Sequence, residues 1–133
     1  MAEYGHQMTE TYAAAADLTA KPYHIMRFVA AGTPPTTNIA SNAAAAFAVG
    51  IVGVLQNAPN TGQAATVAYL GRSKVVAGGT ATAGQLWTTN SSGRAANATS
   101  GDLVIGRGLA TAAADGDVVS VQLIPPVRLS GAV

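Results

Sequence analysis

The pattern of apolar and polar positions changes character at Pro22. Before it, Met1 to Ala20 holds three of the six acids (Glu3, Glu10, Asp17), two tyrosines and the run Ala13-Ala14-Ala15-Ala16. Alanine is the strongest helix former, which favours two helical turns over Thr11 to Leu18. So short a helix is marginal in water on its own. Residues 1–20 are therefore expected to be an N-terminal arm that orders on a partner, and residues 21–133 a single β-rich domain.

Beyond Pro22 the period is that of strands. Tyr23 to Val29 is rich in branched and aromatic residues, and Gly32 to Asn42, with Pro34-Pro35, reads as a loop. Val49 to Gln56 reads as a buried strand followed by an Asn57–Gly62 turn. Ala64 to Leu70, a Gly71-Arg72 corner and Ser73 to Val76 come next, and then Gln85 to Thr89 after Gly78-Gly79. Turns are expected at Asn90–Gly93, Ser100–Asp102 and Asp115-Gly116, with a strand over Leu103 to Ala110. The closing strand alternates from Val118 to Ile124, with Val119, Val121 and Leu123 on one face and Ser120 and Gln122 on the other. Pro125-Pro126 is expected to end it, because proline cannot donate to a ladder. Many short strands at this spacing predict an all-β chain folded as an antiparallel barrel or sandwich.

An internal echo accompanies this pattern. Ile51-Val52-Gly53-Val54-Leu55, with a turn ending at Gly62 and Val67 beyond it, resembles Leu103-Val104-Ile105-Gly106, with a turn ending at Gly116 and Val121 beyond it. Each copy carries a glycine inside a strand, which marks a bulge or a close backbone approach. Two similar hairpins lying as neighbours are one reading; chance similarity in a chain rich in Ala, Gly and Val is the other.

Composition narrows the function. Hydrophobic residues are 49% of the 133, aromatics 5% and charged residues 10%, far below the usual charged fraction of about 25%. Much Ala and Val must then lie outside the core, and exposed apolar surface of that kind marks an interface. Seven basic against six acidic residues, scattered, do not make the stripe that nucleic acid needs. The longest polar-free run, Ala43 to Leu55, is shorter than the about 20 residues of a membrane span, and the first residues lack the layout of a signal peptide. The expectation is a soluble protein with neither nucleic acid nor membrane as partner. Without cysteine there is no disulfide, thiolate zinc site or Cys nucleophile.

The remaining candidate chemistry does not converge. His6 and His24 have no second ligand at metal spacing, and His24 reads as a strand residue with a local hydrogen bond. Gly71-Arg72-Ser73-Lys74 lacks a nucleophile elbow. Asp102, Asp115 and Asp117 sit in glycine turns, where aspartate hydrogen-bonds its own backbone. Gly106-Arg107-Gly108 is no phosphate loop. Asn90-Ser91-Ser92 and Asn97-Ala98-Thr99 are read as turn residues. The chain is thus expected to be no enzyme and to need no cofactor or metal. Arg72, Arg94, Arg107 and Arg128 are candidate polar anchors for a protein partner, and Trp87 is either a core plug or an interface anchor.

The run Gly50-Ile51-Val52-Gly53-Val54-Leu55-Gln56-Asn57-Ala58, with Gly62 and Thr66-Val67 after it, resembles the central hairpin of tailed-bacteriophage capsid decoration (cement) proteins. So does Ser73-Lys74-Val75-Val76-Ala77-Gly78-Gly79 followed by Ala83-Gly84-Gln85-Leu86-Trp87, although Gln85 stands where that family more often has Asp. Ile105 to Ala110 and Asp115 to Leu123 fit the same layout. The likeness spans roughly residues 49–124 and is similar to that of the lambda-type head-stabilising trimer. It implies a β-tulip-like barrel on the outer surface of the virion capsid, made in the host cytoplasm. The partners it implies are the major capsid protein and two further copies of the chain. The arm would pair with a capsid strand edge, three arms would add avidity, and preferential binding would stabilise the expanded shell. Tyr4, Met8, Tyr12 and Leu18 are the expected capsid-binding anchors of the arm, with Tyr23 at its junction with the barrel. Phe47 and Trp87 are the expected trimer contacts. Two other classes stay open: another virion assembly subunit (tail-tube or head-completion), and a small carbohydrate- or ligand-binding β-module.

Overall fold

The computed structural model of the chain describes residues 7–30, 36–39 and 51–128. These form β1 (Met8–Ala14), β2 (Ile25–Ala30), β3 (Thr36–Ile39), β4 (Ile51–Leu55), β5 (Ala64–Gly78), β6 (Leu86–Thr89), β7 (Ala95–Asn97), β8 (Leu103–Gly108) and β9 (Asp115–Arg128). The all-β expectation holds. The strands close into two rings rather than one. Around the first, the order β1-β3-β2-β4-β5 returns to β1; around the second, β5-β7-β6-β8-β9 returns to β5. Closure leaves each strand paired on both sides, which removes the edges that would otherwise recruit other strands. One pair in each ring is parallel, β1 with β3 and β5 with β7, where the sequence predicted antiparallel neighbours throughout.

The long strand β5 belongs to both rings. Its first half pairs with β1 and β4, its second with β9 and β7. The handover falls at Gly71, whose φ of 96° lies in the left-handed region that side chains resist. The corner expected at Gly71-Arg72 is therefore a change of partner within one continuous strand.

The two rings repeat each other residue by residue. Met26 sits opposite Gly53 as Trp87 sits opposite Gly106. Phe28 pairs with Thr37 as Thr89 pairs with Ala95. Val54 pairs with Ala68 and Leu55 with Val67, as Arg107 pairs with Gln122 and Gly108 with Val121. Bonds outside the ladders recur too. The Tyr23 N–H donates to the Leu55 carbonyl at 2.8 Å and the Gly84 N–H to that of Gly108 at 2.9 Å; Leu18 donates to Pro59 at 2.9 Å and Ala81 to Ala112 at 3.0 Å. A β-carbon on Gly53 would collide with the Ala68 carbonyl oxygen, and one on Gly106 with that of Gln122. The echo in the sequence is thus the visible part of a duplicated five-stranded unit.

Each ring has its own interior. Ala14, Leu18, Met26, Val52, Leu55, Ala65 and Val67 fill the first. Trp87 fills the second with Val75, Ala77, Leu103, Ile105, Val121 and Leu123. The second cluster also takes in Ile25, Ile51, Val54 and Ala68 of the first unit. Strand alternation turns Ile25, Val54 and Ala68 away from their own barrel, so the outer wall of the first barrel is buried against the second.

Several expectations are corrected here. From Met8 onward the supposed arm is strand β1, hydrogen-bonded to β3 and β5, and neither helical nor detached. Backbone pairing on both sides outweighs the helix propensity of the alanines. β3 lies within the stretch expected to be a loop, and β7 was not anticipated. β9 begins at Asp115, where a turn was expected, and runs past Pro125-Pro126. The prolines fall where the β8–β9 register shifts between Val104 and Gly106, a bulge in which no ladder donor is missed.

Candidate functional site

Inward-facing positions on β1, β2, β4 and β5 meet at the open end of the first barrel. Glu10 and Tyr12 come from β1, Phe28 from β2, Val52 from β4 and Tyr69 from β5; Ile51, Leu70 and Pro125 complete the rim of a cavity of about 310 Å³. The Tyr12 and Phe28 rings stand edge to face, with centroids 5.4 Å apart and planes at 86°, a favourable arrangement of ring quadrupoles. Burial raises the Tyr12 phenol above its ordinary range, and the Glu10 carboxylate adds to the shift. The phenol therefore stays neutral at all ordinary pH, which makes this mouth an apolar, aromatic recess carrying one carboxylate.

The second barrel carries the same mouth, and there it is closed. By the repeat, Ser73 takes the place of Glu10, Val75 of Tyr12, Thr89 of Phe28, Ile105 of Val52 and Leu123 of Tyr69. None of these five is more than 2% exposed. The first barrel's wall covers them. Gln56, just beyond β4, donates from Nε2 to Ser73 Oγ at 2.9 Å, and Ser73 donates on to the Lys74 carbonyl at 2.8 Å. The Ile25 N–H reaches the Gly93 carbonyl of the β6–β7 turn at 2.6 Å.

A polar chain flanks this junction. The Arg94 Nε donates to His24 Nε2 at 3.3 Å, and its Nη1 pairs with Asp115 at 2.7 Å. With Nε2 accepting, Nδ1 carries the ring proton and faces the Pro22 carbonyl at 3.2 Å. Burial holds the His24 imidazole below its usual range; the charges of Arg94 and Lys21 act in the same sense, and the Pro22 bond opposes them. Tyr23 beside it has φ of 63°, uncommon for a bulky residue, and its counterpart Gly84 has 84°. Tyr23 donates to Leu55 and accepts from the Val76 N–H, so it stitches both barrels. Lys74 Nζ sits 5.9 Å from the centre of its ring.

Of the residues singled out from sequence, Met8 is half exposed and Tyr12 lines the mouth. Tyr23 lies at the joint between the two barrels. Leu18 is 2% exposed in the first core, so it is not available as a capsid anchor. Trp87 is fully buried, its Nε1 donating to the Thr82 carbonyl at 3.0 Å. It is therefore a core plug and not a trimer contact. Tyr4 and Phe47 lie outside the described residues. Sequence reading missed Glu10, Phe28 and Tyr69. Their signal, period-two alternation on β1, β2 and the first half of β5, was masked on β1 by the alanine run. Among the described residues, no three His, Asp or Glu side chains come together to hold a metal.

No family model matches the chain, and no curated protein does. Among solved structures, the head fiber gp8.5 N base of bacteriophage phi29 superposes with a TM-score of 0.66, covering 89% of this chain and 94% of that one at 18% identity. The two share a fold across almost their whole lengths.

Proposed function

We propose that this protein is a non-enzymatic structural component of a phage virion, seated on the outside of the head as a homotrimer and stabilising the shell by bridging major capsid protein subunits. The observation that carries the reading is the shared fold with a head fiber base over 94% of that chain, on a sequence whose glycine and valine framework resembles capsid decoration proteins. Exposed apolar side chains support it: Met8, Phe28, Val29 and Val118 are between 37% and 51% exposed, the kind of surface that marks a docking face. Met8 remains a candidate shell contact, now presented from a barrel strand and not from a detached arm.

Co-sedimentation with expanded and unexpanded shells tests this. Saturable binding to expanded shells is expected, weakened about tenfold by Met8→Asp, which introduces charge at an exposed apolar contact. Absence of binding to either shell would overturn the reading.

A further inference from the structure

We propose that the open mouth of the first barrel is the docking site for the second barrel of another copy of this chain, repeating between molecules the junction that joins the two barrels within one. The in-chain junction is the template. There, the wall of one unit (Ile25, Val54, Gln56, Ala68) covers the mouth of the next (Ser73, Val75, Thr89). The first unit keeps a mouth of the same build that none of the described residues covers, with Phe28 exposed in it. The second unit keeps a wall of the same build, also uncovered. Its counterparts of Val54, Gln56 and Ala68 are Arg107, Leu109 and Gln122, all exposed. Leu109 is 40% exposed, an apolar side chain at the position where Gln56 enters the in-chain junction.

Charge fits the same pairing. Within the chain, neutral Gln56 and apolar Val54 approach neutral Ser73. Between chains, the counterpart of Ser73 is Glu10, and the approaching wall carries Arg107. Glu10 forms no ion pair among the described residues. Arg107 is held in place by donating from Nη1 to the Gly84 carbonyl. In the template the Gln56 amide donates both to Ser73 Oγ at 2.9 Å and to the Val54 carbonyl at 3.0 Å, which makes Ser73 and Val54 neighbours. Opposite charges thus stand at the counterparts of those two neighbouring positions, and neither charge is present at the in-chain junction. Where β5 turns into the next barrel at Gly71, the equivalent stretch of β9 bulges at Pro125-Pro126 and stays on β8.

Such a contact joins two different surfaces, so it propagates head to tail, closing into a ring where the rotation allows and extending as a filament otherwise. It rests on the in-chain junction and shares only self-association with the proposed function; shell binding can fail without it, and it can fail without shell binding.

Sedimentation velocity on the purified full chain over a concentration series tests the proposal. Wild type is expected to associate. Glu10→Arg and Arg107→Glu each should weaken association about tenfold or more, and the double variant E10R/R107E should return to within about threefold of wild type. Because the chain lacks cysteine, mixing Glu10→Cys and Leu109→Cys single variants with a short bismaleimide should give a dimer band that neither gives alone. A wild type that stays monomeric would overturn the proposal, as would association indifferent to both charge reversals. A monomer whose shell binding is lost in E10R would also overturn it, assigning the mouth to the shell protein.

Discussion

At the scale of single residues, the two units solve one packing problem with different side chains. Met26 opposite Gly53 fills the first barrel together with Leu55, and Trp87 opposite Gly106 fills the second, with Gly108 at the position of Leu55. A β-carbon on Gly108 would enter the Trp87 ring, so large and small are exchanged within a fixed volume. Trp87→Met is expected to cost about 3 kcal/mol through the cavity left behind, and Gly108→Leu to be worse, with leucine driven into the indole. The double variant W87M/G108L reproduces the first barrel's pair and should recover at least half of the loss, read from urea unfolding midpoints. Additive losses would show that the two interiors are not interchangeable.

His24 offers a second residue-scale test. Its folded pKa lies below the ordinary 6.5 because the ring is buried beside Arg94. An unfolded chain therefore binds the proton first as pH falls, so stability declines from about pH 6.5 down to the folded pKa and is flat above. His24→Gln places there the residue found at the equivalent Gln85. Wild type should lose stability as the pH falls below about 6.5, and the variant should lose less. Asp17, held low by hydrogen bonds from Thr19, acts in the same direction but only within the lower, carboxylate range. An equal decline in both proteins across the upper window would remove His24 as its cause.

Among elements, what could be read in advance follows from what each strand buries. β4, β8 and β9 were legible because one or both faces are apolar, and the turn glycines bracket them. β3 and β7 were not. Thr36-Thr37-Asn38-Ile39 and Ala95-Ala96-Asn97 carry no apolar run, and their backbones are fixed by neighbours on both sides. β5 was read as two strands because a glycine with positive φ serves equally for a turn and for a bend. The mouth was half legible, through Tyr12, since its other walls come from distant segments that only closure brings together. β1 shows why local propensity misled. It closes the first ring and leads into the fully buried Leu18. Removing residues 1–18 should therefore open the first barrel, and limited proteolysis is expected to cut the truncated chain within residues 21–30 or 51–55, which stay protected in the full-length protein. Equal resistance would mean that the ring holds without its first strand.

For the molecule as a whole, the duplicated unit gives the proposed assembly its pattern. One barrel resting its wall on the mouth of the next needs no polar partner, so a chain with 10% charged residues can make the contact. In the proposed contact the charges at Glu10 and Arg107 would set orientation as well as strength. The duplication is faint in the sequence because the interior fillings differ, Met26 and Leu55 against Trp87 and Gly108, while the strand glycines Gly53 and Gly106, each facing backbone, recur.

The strand held in common also orders events on the ribosome. Neither ring can close before β5 has emerged, so the four earlier strands wait with unsatisfied edges until Ala64 to Leu70 arrives. The later half of that strand then waits in turn for β9, near the end of the chain. Pairings between such distant segments form slowly. A nascent chain halted between them would present half of β5 as an open template for a neighbouring nascent chain on the same messenger.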